Sequence, residues 1–177
     1  RKLTSNELLF LSRWWIPVVR SIIEINGGKA DVRTLVKQIT PAISEDQVKE
    51  AIRVLKELKM ITPLASERYA VTTVNFTSAG ASKISAIRSY QNQLLTLAQN
   101  ALVNIPPDKR NISSVLACVD DECLEDLVEM TQEFRRQVQK RVADVAAPQK
   151  VVQFIFSLYP VADISDKETS KENARSA

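Results

Sequence analysis

The sequence predicts an α+β chain, with an N-terminal winged-helix domain followed by a long helix and a small β-α-β module. Three observations carry that prediction. Three helical segments and a hairpin fill the first half; apolar residues then recur at alternating steps of three and four; and a strand, helix, strand pattern follows. The domain boundaries expected are 1–80 for the winged-helix-like part, 81–162 for the long helix plus module, and 163–177 for a disordered tail of alternating charge with little to bury.

Residues 7–25 are apolar at nearly every position, as in a helix buried on several sides, and Pro17 should kink or split it because proline cannot donate to Arg13. Asn26-Gly27-Gly28 ends it. Asp31 is an N-cap for a short helix to Ile39, closed by Thr40-Pro41. Ser44-Glu45-Asp46-Gln47 fits a capping box, and Val48, Ala51, Ile52, Leu55 and Leu58 then follow at helical spacing to about Lys59. Residues 61–64 and 69–74 read as two strands joined by a polar turn at 65–68.

After Thr77-Ser78-Ala79-Gly80, the residues Ile84, Ile87, Gln91, Leu94, Ala98, Ala101 and Ile105 form a coiled-coil-like seam that ends at Pro106-Pro107. The seam is a candidate homodimer surface, or else a face that docks within one subunit. Strands are expected at 112–119 and 151–159, with an amphipathic helix at 121–145 between them. Two parallel strands alone leave two open edges, so something should cover them.

The chain contains no histidine, which excludes triads and metal centres built on imidazole. Its three glycines, Gly27, Gly28 and Gly80, cannot write a phosphate loop or a dinucleotide fingerprint. No catalytic residue, metal site or cofactor is therefore expected. The acidic run Asp120-Asp121-Glu122 reads as helix-opening charge, with Arg135, Arg136, Lys140 and Arg141 at the opposite end. Cys118 and Cys123 read as reduced structural thiols, and Trp14 and Trp15 as core and interface fill, the alternative being a pocket for a small-molecule effector. Apolar stretches fall short of a membrane span, and the expectation is a soluble, cytoplasmic protein without a membrane partner.

The candidate DNA contacts are Lys49, Arg53 and Lys56 on the third helix, with Arg68 on the wing. Against them, Glu45, Asp46, Glu50 and Glu57 balance the helix's Lys49, Arg53, Lys56 and Lys59, and duplex affinity depends on neutralising phosphates. Residues 1–80 carry twelve Lys or Arg and eight Asp or Glu, net +4, whereas 81–177 carry twelve and thirteen, net −1. Charge thus favours packing and protein contact over DNA reading by this helix.

Trp14-Trp15-Ile16-Pro17-Val18-Val19-Arg20, Ala86-Ile87-Arg88-Ser89-Tyr90, Arg110-Asn111-Ile112-Ser113-Ser114, Glu133-Phe134-Arg135-Arg136 and Val152-Gln153-Phe154 through Leu158-Tyr159-Pro160 follow one another in a distinctive order. Over roughly residues 6–161 they resemble a bacterial family of unknown function, domain of unknown function family 4423. Its members are described as conserved hypothetical proteins or transcriptional regulators. The resemblance implies a C-terminal domain preceded by a helix-turn-helix segment, agreeing with a chain that starts at Arg1 without methionine. It also implies that DNA contact falls to that missing segment. Gln91 departs from the pattern, where a histidine follows the tyrosine. The function expected is the non-catalytic regulatory and oligomerisation domain of a transcriptional regulator. The alternatives are a winged-helix module that itself binds duplex DNA, and an enzyme working with carboxylates alone.

Overall fold

A computed structural model describes residues 4–64, 68–72 and 81–164, with side chains in the last segment from 84 onward. The breaks expected at 65–67 and 77–80, the end of the second hairpin strand at 73–74 and the tail at 165–177 lie outside the described residues.

The run beginning at Glu7 becomes two helices, α1 (Ser5–Ser12) and α2 (Trp15–Ile25). Thr4 and Glu7 form a capping box, Glu7 N–H donating to Thr4 Oγ1 at 3.2 Å and Thr4 N–H to Glu7 Oε2 at 2.7 Å. The division falls at Arg13, whose backbone is extended, and not at Pro17 itself. The reason is positional: Pro17 occupies the first turn of α2, where a helix has no use for its missing N–H.

Two glycines with positive φ, Gly27 (+64°) and Gly28 (+88°), turn the chain into Lys29. Asp31 caps α3 (Val32–Gln38) by accepting from Thr34 N–H at 2.8 Å. Ser44 and Gln47 cap α4 (Glu45–Glu57) reciprocally, at 3.2 and 2.9 Å. Lys59, at φ +58°, then closes α4 in the left-handed region. Its N–H bonds Lys56 O at 3.0 Å and Met60 N–H bonds Leu55 O at 2.9 Å, a Schellman ending made without glycine.

β1 (Ile61–Pro63) and β2 (Tyr69–Val71) pair antiparallel with Ile61 opposite Val71 and Pro63 opposite Tyr69. The other edge of β2 is occupied too: Lys29 bridges Arg68, and Tyr69 N–H donates to Gly28 O at 2.9 Å. A Cβ on Gly28 would collide with the Tyr69 carbonyl oxygen, so glycine is required there by both space and φ. Ile16, Val19, Ile23, Leu35, Val48, Val54 and Leu55 form a core without solvent contact between α2, α3 and α4.

The long helix α5 (Ala81–Asn104) packs on α1, followed by a 3₁₀ turn at Pro107–Lys109, and α6 spans Asp121–Ala143. The chain divides into two compact units: residues 1–116 with 144–153, and residues 117–143 with the chain from 154. The architecture is therefore α+β, mostly helical with one two-stranded sheet among the described residues.

The β-α-β module does not form. Residues 112–119 and 151–159 carry no ladder hydrogen bonds, and their side chains are exposed, Val115 at 92 % and Leu116 at 86 %. Strand-forming composition supplies extended backbone only; a stable sheet also needs a partner edge on each strand and an apolar layer against it. The two cysteines are unpaired, as expected of reduced thiols, but depart from a buried structural role for the same reason. Cys118 and Cys123 are free and exposed, lying where this part of the chain buries little.

Candidate functional site

The exposed side of α4 holds the charged residues that sequence spacing brings together. Lys49, Arg53 and Lys56, at steps of four and three, line one groove of about 490 Å³ with Ile52, Val32 from α3 and Tyr69 from β2. Arg68 is exposed beside Tyr69, held through its backbone bridge to Lys29. Three of the four candidate contacts thus share a groove floor.

Their charges are already engaged in part. Lys49 Nζ lies 3.6 Å from Glu45 and 3.5 Å from Asp46, while Arg53 pairs with Glu57 at 2.9 Å. These are exposed pairs one helical turn apart, worth roughly 0.3–0.5 kcal/mol each, so phosphate could displace them. Lys56 has no ion pair among the described residues. One further group joins the cluster from far away in sequence. Asn6 on α1 donates to Glu57 and accepts from Arg53 at 3.4 Å, fixing the end of α4 to the N-terminal helix.

α1 also reaches the long helix. Its end at Ser12 and the extended Arg13 leave a free carbonyl and a free N–H, and the Gln93 side chain on α5 supplies both partners. Gln93 Nε2 donates to Ser12 O, and its Oε1 accepts from Trp14 N–H at 3.4 Å. An amide side chain stands in for the helical bonds that the chain break removes. Beside it, Trp14 and Trp15 meet edge to face at 6.1 Å, with the Arg13 guanidinium 5.4 Å over the Trp15 ring. Both indoles are partly buried against the core. Neither lines the groove on α4.

On α5 the face that docks is offset from the seam. Ala86 is buried, and Tyr90, Gln93 and Leu97 are half-buried, each one residue before a seam position, a rotation of about 100° around the helix. Burial of Tyr90 pushes its phenol above the ordinary value of 10.0. Of the seam itself, Leu94, Ala98 and Ala101 are half-buried, whereas Ile84, Ile87 and Gln91 face solvent.

Sequence reasoning missed Asn6 and Gln93. Neither offers a signal of its own: Asn6 stands between Ser5 and Glu7, and Gln93 follows Gln91 and Asn92, so nothing local marks the amide that will bridge. Among the described residues, no group of three or more Cys, Asp or Glu side chains is arranged to hold a metal ion, and no helix is long and apolar enough to cross a membrane. At the other end of the chain, Asp120 caps α6 by accepting from Cys123 N–H at 2.8 Å, so one member of the acidic run serves the helix terminus.

A family model described as Domain of unknown function (DUF4423) matches residues 1–161. No curated protein and no solved structure matches this chain.

Proposed function

We propose, from the premise that the chain belongs to the DUF4423 family, that it is the non-catalytic regulatory and oligomerisation part of a transcriptional regulator. In this reading residues 1–80 are a winged-helix domain. Its support is the order α2, a short extended segment at Lys29, α3, α4, β1 and β2, with the Lys29–Arg68 bridge placing β2 between two neighbours. The winged helix acts here as a relay, and DNA contact belongs to another part of the regulator.

The observation that carries the relay reading is the position of α1. It touches α4 through Asn6 and α5 through the Gln93 bridge, so a shift at the winged-helix face is mechanically continuous with the long helix. An effector or partner that moves α1 would bias both.

A second reading rests on the groove: Lys49, Arg53 and Lys56 beside Tyr69 would let α4 and the wing grip a duplex directly. Fluorescence anisotropy with a mixed-sequence duplex at 50 and 200 mM salt separates the two. The relay reading expects no measurable binding at either salt. Binding that falls about a hundredfold or more between those salts, and disappears in Lys49→Glu with Arg53→Glu, would transfer the function to the DNA-reading alternative.

A further inference from the structure

Helix α6 and its cap divide their charge into two blocks. Residues 120–129 hold Asp120, Asp121, Glu122, Glu125, Asp126 and Glu129 with no cation, a charge of −6; residues 130–143 hold Arg135, Arg136, Lys140 and Arg141 against Glu133, a charge of +3. Attraction to the helix ends accounts for the first and last turns only, because that field fades within a turn. Asp126, Glu129 and Arg135 lie further in. The same helix leaves large apolar side chains uncovered: Met130 is 65 % exposed and Phe134 52 %. They line a groove of about 490 Å³ together with Glu129, Glu133, Arg136 and Gln137. Phe156 covers one edge of Phe134 at 5.8 Å and stacks on Phe154 at 6.1 Å, all within the second unit, and the remainder of Phe134 is open.

We propose that α6 pairs antiparallel with α6 of a second copy of this chain. The occupant follows from charge complementarity. The helix that best matches a surface acidic at one end and basic at the other is the same helix reversed, whereas a parallel pair would set each block against its own kind. A two-fold axis at the midpoint, residue 132, puts Met130 of one copy against Phe134 of the other, with Glu122 and Asp126 of each near Lys140 of its neighbour. Such a contact is self-complementary and closed, giving a dimer and no fibre. The inference rests on the oligomerisation reading above and moves the contact from the α5 seam to α6.

Light scattering of the full chain across a dilution series tests it with two block reversals. Glu125→Lys with Asp126→Lys and Glu129→Lys brings residues 120–129 from −6 to neutral, leaving 120–143 net cationic; Arg135→Glu with Arg136→Glu and Lys140→Glu brings residues 130–143 from +3 to −3, making it anionic. The wild type is expected to dimerise, each variant alone to do so at least about tenfold more weakly, and an equimolar mixture to recover the dimer. Circular dichroism of each variant checks that helix content is kept, and recovery on mixing cannot come from misfolded chains. The orientation has its own readout. In an antiparallel pair the two Cys123 residues lie about 27 Å apart, so an oxidised Cys118→Ser chain stays without a disulfide dimer; a parallel pair would cross-link. A dimer that survives both reversals, or dissociates only in Ile84→Glu with Ile87→Glu, overturns the α6 contact and keeps the oligomerisation reading. A wild type monomeric at every concentration overturns both.

Discussion

Residues 15–61 and residues 112–161 are both rich in Val, Ile and Leu, yet the first stretch hides most of them and the second does not. In the first, Ser44 and Asp31 satisfy helix starts, Gly28 lets the chain approach β2 closely, and Lys59 turns α4 back onto Met60 and Ile61. Each local device agrees with the packing it serves. In the second, segments without regular structure hold Val115, Leu116, Val152 and Leu158 in solvent. The difference teaches that apolar content alone does not make a core; the polar backbone must be satisfied as well, and segments 112–119 and 151–159 have no ladder to do so among the described residues.

Large-to-small substitution should separate the two regions most sharply. Leu55→Ala, at a site with no solvent contact, is expected to cost about 3 kcal/mol in urea unfolding, within the usual range for a cavity left in a core. Val115→Ala should cost under about 0.5 kcal/mol at concentrations where the chain is monomeric. Gly28→Ala should come next, at about 2 kcal/mol, because the new methyl meets the Tyr69 carbonyl in a backbone conformation that resists it. Equal melting of Gly28→Ala and wild type would remove the close approach from the account. Gln93→Leu, which leaves Ser12 O and Trp14 N–H without their amide partner, is expected to cost about 1–2 kcal/mol and to shift Trp fluorescence.

The smallest effect is electrostatic. Hydrogen bonds from the Thr34 side chain and backbone hold the Asp31 carboxyl below its ordinary value of 3.8. A carboxylate with a depressed folded value contributes stability above its unfolded value and loses it as pH falls through the folded one. Acid titration of stability should therefore show a component below pH 3.8 that Asp31→Asn removes.

How much could be read beforehand follows the same division. The Ser44–Gln47 box and the Asp31 cap were legible because a cap is a four-residue signal, complete within the sequence. The split at Arg13 was legible only as an effect of Pro17, since proline forbids a bond without saying which residue will turn. On α5 the periodicity identified a helix and part of its docked side, Leu94, Ala98 and Ala101, but not Tyr90 or Gln93, because the amide of Gln93 docks through hydrogen bonds that an apolar pattern ignores. The stripe of Lys49, Arg53 and Lys56 was visible from spacing, while the tie from Asn6, separated from Arg53 by 47 positions, was not. Segments 112–119 and 151–159 read as strands from composition, and composition cannot supply the neighbour a strand requires.

Hydrogen exchange of the full chain at increasing protein concentration tests most directly whether the N-terminal region is complete alone and the later region is completed by a second copy. Amides of α4 and β2 should be protected equally at every concentration, whereas those of α6 should gain protection as the dimer forms. Protection in α6 that is already full in the monomer, or that never rises, would contradict the account.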